Sequence, residues 1–143
     1  MTAGESARQE ARRARERAER LARRAEMFEK GADGESRTAA ALDGLGDEWA
    51  VLHDHRWPGR RLANIDHIVI GPGGIFVIDS KNWSGDVRVA GQVLRQNGRS
   101  REKAVASAAD AALAVAELAG TYSHAVHPVL CFVQRRADGR MGP

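Results

Sequence analysis

The sequence predicts a mixed α+β (α/β) domain, a central mixed sheet flanked by helices, with an Arg/Glu-rich helix at its N-terminus. Three observations predict it. Residues 6 to 30 hold no Pro or Gly and repeat their apolar positions in steps of four and three. From about residue 48 the pattern changes to short β-branched runs punctuated by Gly turns. An Ala-rich stretch of helical spacing follows, then a last apolar run. The order helix, strands, helix, strand belongs to α+β or mixed α/β domains. At 143 residues, 43% hydrophobic and 29% charged, the chain can bury a core without disulfides or a structural metal.

The first helix is expected to start at Ser6, because Ser6-Ala7-Arg8-Gln9 has the spacing of a capping box. Its seam of Ala7, Ala11, Ala14, Ala18, Leu21, Ala25 and Phe28 is a coiled-coil heptad made almost wholly of Ala, hence a weak one. Nine of the 22 basic residues and six of the 19 acidic ones lie in residues 1 to 32. The whole net charge of +3 therefore resides there, and the rest of the chain is neutral. Two readings stand for this arm. Residues 6 to 30 lie along DNA phosphates or zip with a partner helix, as in a homo-oligomer, or they form a solvated helix laced with ion pairs. Gly31 and Gly34 bracket Asp33 and predict a break there, with a second helix from Asp33 to the glycines at 44 and 46. The expected division is thus a charged helical arm, 1 to 32, and a core, 33 to 143.

Strands are expected at about 48–53, 64–70, 75–81, 86–89 and 92–95, mainly antiparallel, with Pro58-Gly59, the four-residue loop Gly71 to Gly74, Ser84-Gly85, Ala90-Gly91 and Asn97-Gly98 between them. Ser100 is expected to cap a helix that runs to Ala119 and closes at Gly120. Its wet face would carry Lys103, Ser107, Asp110 and Glu117, with Val105, Ala109, Ala112 and Ala116 opposite. Residues His127 to Val133 are continuously apolar after Pro128 and read as a strand buried on both faces.

Cys131 is the single cysteine, so neither an internal disulfide nor a Cys-rich zinc cluster can form, and a reducing, cytoplasmic setting is expected. No apolar stretch approaches the roughly 18 residues needed to cross a bilayer, and no apolar segment follows the charged N-terminus, so the chain reads as neither secreted nor membrane-embedded.

Most of the chemistry lies in IDHIVIGPGGIFVIDSKNWSG, residues 65 to 85. Two β-branched runs around Gly71 to Gly74 signal a hairpin. If Ile70 and Ile75 close it, paired numbers sum to 145 and Asp66 faces Asp79, with Cβ atoms about 4.5 to 5.5 Å apart. Two carboxylates so placed repel, and a bound cation would relieve them. Hard oxygen ligands suit Mg²⁺, with Mn²⁺ as a substitute. Lys81, two residues past Asp79, shares its face, and the Ser80 carbonyl could add a ligand while its side chain points away. Carboxylates, a metal and an adjacent cation suit phosphodiester hydrolysis. The plainer reading is a pair of strand-end carboxylates with Lys81 as an ion-pair partner.

These residues resemble the nuclease-related domain (NERD) family, whose pattern is an acid in an IDHxxxGPxGxFxI segment followed by an acid-x-Lys-Asn ending. The resemblance extends more weakly from about Gly34 to Val133. It implies a restriction-endonuclease-like core, in the superfamily marked by D…(D/E)xK, and a Mg²⁺-dependent DNA nuclease acting in repair or defence. It also implies that Glu35, in Gly34-Glu35-Ser36, is a further metal or water ligand beside Asp66, Asp79 and Ser80. Asp79 stands where Glu is commoner, and residues 100 to 119 lack the Gln that relatives often carry on that helix. Relatives continue past Val133 with another strand and helix, so a core short of these elements is expected.

Other residues carry weaker signals. Trp83, two residues past Lys81, could border a nucleic-acid channel by stacking, whereas Trp49 and Trp57 read as core or rim. Arg95, Arg99, Arg101 and Lys103 cluster around the start of the later helix, where phosphate contact and a solvated basic turn are equally served. His53, Asp54 and His55 read as strand-end surface residues rather than a metal triplet, and His67, His124 and His127 as packing or orienting groups. Two functions remain: a DNA nuclease, and a module that keeps the fold and binds nucleic acid or a partner without cutting.

Overall fold

The computed structural model describes residues 2–60 and 63–133. The first helix does not break. α1 runs from Glu5 to Leu42, 38 residues, about 57 Å long at 1.5 Å per residue. The stop expected at Gly31 and Gly34 is absent, because Gly34 serves packing rather than termination. A Cβ at Gly34 would come within 2.8 Å of the Asn82 Cβ, so glycine serves a close crossing between α1 and the end of a strand. Asn82 Nδ2 donates to the Lys30 carbonyl at 2.9 Å beside it. Gly31 has open space around its Cα, and nothing in the structure explains it. The N-terminal end also differs from expectation. Gly4, in the left-handed region, is the cap, with no side-chain capping hydrogen bond, and the Glu5 carboxylate accepts from the Thr2 N–H at 2.9 Å just ahead of the helix.

Strands β1 (Ala50–Arg56), β2 (Asn64–Gly71) and β3 (Gly74–Lys81) form an antiparallel meander. A last strand completes the sheet alongside β3 and parallel to it, giving a mixed four-stranded sheet. The β2–β3 hairpin has the expected register, Ile70 with Ile75, but Gly71 also pairs with Gly74, so the connection is the two residues Pro72-Gly73. A second sheet holds β4 (Val87–Ala90), β5 (Val93–Gln96) and the two-residue β6 (Arg99–Ser100). Helix α2 (Glu102–Ala119) ends at Gly120 with positive φ, and a 3-10 turn, Gly120–Ala125, leads into β7 (Val126–Phe132), the parallel strand.

The two helices pack on opposite sheet faces. Gly34 and Thr38 of α1 are buried, with the Thr38 hydroxyl bonded to the Gly34 carbonyl and near Cys131 Sγ, on the face that carries Ser80. Val77, on the other face, packs with Ala111, Ala112 and Val115 of α2 and with Trp57 and Ile65 in the main core cluster. The buried face of α2 is therefore Ala108, Ala111, Ala112 and Val115, whereas Val105 and Ala109, expected inside, are exposed. Methyl side chains let the helix lie close to the sheet, and the deepest row was ambiguous because Ala occurs on both sides. Ser100 is not the helix cap, which is Arg101. Strand β7 lies at the sheet edge and is half-buried at best, because only β3 pairs with it among the described residues. By length and composition the run Glu102–Ala125 would pass for a membrane-crossing helix, with a mean hydropathy of 1.3 raised by its alanines, contrary to expectation. Its buried face nevertheless packs on the sheet. The C-terminal ten residues of the expected core lie outside the described residues.

Candidate active site

The last ladder pair of the β2–β3 hairpin is His67 with Ile78. The ladder stops there, and the same register carried one step further would set Asp66 opposite Asp79. Alternation gives Lys81 the same face. There the Ser80 N–H donates to Asp66 Oδ2 at 2.9 Å, and the Asp66 carboxyl also hydrogen-bonds that of Asp79. Lys81 Nζ lies 3.2 Å from Asp79 Oδ2, both side chains being 28% exposed. The geometry is the one expected from the hairpin register, and it includes the ion pair that the plainer reading required.

Burial is the main reason that Asp66 is pushed up from 3.8 to about 7, and the nearby negative charges of Glu35 and Asp79 add to it, against the lowering effect of the Ser80 N–H. Asp66 thus holds its proton to a far higher pH than a free carboxyl does. Two half-buried carboxylates side by side form an oxygen donor set short of positive charge, which fits a divalent cation. The pair is not a closed cage. Among the described residues no three of the His, Cys, Asp and Glu side chains are gathered to hold a metal. Mg²⁺ requires no such cage, since one or two carboxylates, with waters and substrate phosphates, complete its shell.

A cleft of about 460 Å³ opens over these groups. Glu35 lines it from α1 together with Lys30 and Met27, and Trp83, Gln96 and Arg101 line it from the opposite side. Asp66, Asp79 and Lys81 also border a smaller cavity, about 260 Å³, beneath α2 at Ser107 and Ala108. The carboxylates therefore stand between an open mouth and the packed core. Trp83 meets Phe132 at a tilt, with ring centroids 5.3 Å apart, and carries the Arg101 guanidinium 4.2 Å over its ring. Of the basic cluster, Arg101 alone lines this cleft. Arg95 donates to the Gly98 carbonyl at 3.0 Å, Arg99 is exposed on β6, and Lys103 lies with Arg101 around a separate hollow at the start of α2.

The histidines are more organised than their surface reading allowed. His67 is 2% exposed and lies on the face opposite Asp66. Its Nε2 is 3.0 Å from Ser80 Oγ, and its Nδ1 is 2.9 Å from His53 Nδ1. His53 Nε2 in turn reaches Asp43 Oδ1 at 2.8 Å. Orientation, expected for His67, is what it shows, but His53 is not a bare strand-end residue. Asp54 accepts from Asn64 Nδ2 at 2.9 Å, and His127 stacks on Phe76. The hairpin register alone places Ser80 on the His67 face, whereas the His53 contact needed the β1–β2 register, which no local turn signals. Gln96 in the cleft was also missed, because its strand belongs to the second sheet.

A family model described as a nuclease-related domain matches residues 30–133. Searches of curated proteins and of solved structures returned no match.

Proposed function

The chain belongs to the nuclease-related domain family, and from that premise we propose that it is a metal-dependent nuclease that hydrolyses phosphodiester bonds in DNA through Asp66, Asp79 and Lys81. The observation that carries this reading is the half-buried, hydrogen-bonded pair of Asp66 and Asp79 with the Lys81 ammonium beside it, at the floor of an open cleft. Asp66 and Asp79 would hold Mg²⁺, with the Ser80 carbonyl as a further oxygen from the strand and Glu35 as one implied by the family pattern. When bound, the ion would polarise the scissile phosphate and lower the pKa of a water.

The chain's own groups do the rest. Asp66 would release its proton to solvent on binding a divalent cation, leaving two ionised carboxylates as its ligands. Lys81 orients the attacking water and offsets charge that develops on the phosphoryl oxygens, an effect felt mainly in the transition state. Arg101, held over Trp83, offers donors to a DNA phosphate at the mouth, and Trp83 gives the strand an aromatic edge. The arm, residues 6–30, would lie along DNA phosphates or pair with a partner helix, as in a homo-oligomer. A reducing, cytoplasmic setting belongs to the same proposal.

The experiment is cleavage of labelled double- and single-stranded DNA, with RNA for comparison, in Mg²⁺, Mn²⁺ or EDTA. Metal-dependent shortening of DNA is expected. DNA retained in a gel shift but never cut, in any metal, would replace the nuclease with the non-cleaving binding module.

A further inference from the structure

Asp66 and His67 are consecutive on β2, so their side chains leave opposite faces of the sheet, yet both reach Ser80. The Asp66 carboxylate takes the Ser80 backbone N–H at 2.9 Å on the cleft side, and the His67 ring meets Ser80 Oγ at 3.0 Å on the α1 side. Ser80 is gripped from two sides, and its chain neighbours are Asp79 and Lys81. We propose that His67 is a positioning residue for the candidate active site, and that the line Asp43, His53, His67, Ser80 fixes the spacing of Asp66, Asp79 and Lys81. This inference rests on the nuclease reading for its effect on rate, though not for its effect on structure.

With both rings neutral, one proton assignment satisfies all three contacts of the line. Asp43 can only accept, so His53 donates from Nε2. Its Nδ1 then accepts, so His67 donates from Nδ1, and the Ser80 hydroxyl donates to His67 Nε2. Burial, with His53 beside it, lowers the pKa of His67 and keeps it neutral in this role. The line starts at Asp43, the C-cap of α1, the helix that also carries Glu35. It therefore ties the end of α1, β1, β2 and β3 together behind the site, where a ring locked by packing and hydrogen bonds holds geometry that the cleft face alone does not. Among the described residues no buried side-chain polar atom lacks a partner, so removing a member of this line leaves another unsatisfied.

The test compares wild type with Ser80→Ala, His67→Leu and His67→Gln. Ser80→Ala removes one oxygen and keeps the backbone N–H and carbonyl, so it answers even where His67→Leu fails to fold. Exchange of the residue-80 amide, read by NMR, is the readout that does not depend on activity. Ser80→Ala and His67→Leu should speed it roughly five- to tenfold, the change that follows loss of one ordinary hydrogen bond. They should also lower kcat for DNA cleavage while leaving KM nearly unchanged. His67→Gln, whose amide reaches the place of Nε2, should restore both in part. Residue-80 exchange as slow in Ser80→Ala as in wild type would overturn the inference. A wild type that never cuts DNA would count against the nuclease reading alone, and amide exchange would still decide the clamp.

Discussion

At Asp66 the chain accepts a carboxyl that burial keeps protonated up to about pH 7, where a free one would ionise near 3.8. The folded state therefore binds a proton that the unfolded state has released between those values, and stability must fall as pH rises through that window. The contribution is fully present below about 3.8 and lost by about 7. In EDTA the melting temperature of wild type should drop between pH 5 and pH 8 more than that of Asp66→Asn, which cannot titrate. Mg²⁺ at pH 8 should recover part of the loss for wild type only. Equal pH slopes for the two proteins would mean that Asp66 is not the group responsible. The sequence made this pair legible because the register of a hairpin follows from its turn, and pairing of 70 with 75 puts 66 and 79 on one face at the end of the ladder. It did not reveal the raised pKa of Asp66, which depends on burial by residues far along the chain.

Among elements, α1 shows how one residue type carries opposite meanings. Gly31 and Gly34 read alike in sequence, as helix breakers, yet the helix passes through both and only Gly34 meets a neighbour. Gly31→Ala should stabilise the protein by about 0.5–1 kcal/mol, the ordinary gain from replacing a mid-helix glycine. Gly34→Ala should instead cost about 1 kcal/mol net, because overpacking against Asn82, typically about 1–3 kcal/mol, outweighs that gain. Urea unfolding midpoints of the two variants check the sign at each site. A stabilised Gly34→Ala would show that α1 yields at the crossing, and with it the place of Glu35 over the cleft. The partner of Gly34 is remote in sequence, which is why local glycine rules failed here. The same cause hid the buried row of α2, where alanines on both faces leave the choice to the sheet. Strands β2 and β3 were read correctly to within one residue because alternation and a Gly-Pro-Gly-Gly turn are local facts.

For the whole molecule, the charged N-terminal stretch of α1 stands largely exposed, with Leu21, Met27 and Phe28 all more than half open to solvent. It holds the entire net charge but no part of the core cluster. Deleting residues 2–26, which stops short of the cleft wall at Met27, should leave cooperative unfolding and the melting temperature within a few degrees of wild type. Loss of cooperativity would make the arm part of the fold. Fold class and the site-bearing hairpin were thus legible from local pattern, whereas the helix-to-sheet crossings, the histidine line and the second sheet's share of the cleft required distant contacts. The central claim, a metal-dependent DNA nuclease centred on Asp66, Asp79 and Lys81, is tested most directly by nicking of supercoiled plasmid. Wild type, Lys81→Ala and Asp79→Asn are compared in Mg²⁺, with an EDTA control and circular dichroism to confirm folding. Wild type should nick only with metal, Lys81→Ala should keep its fold and lose about 10²- to 10³-fold in rate, and excess Mn²⁺ should partly rescue Asp79→Asn. Nicking that survives EDTA, or Lys81→Ala at full rate, would contradict the claim.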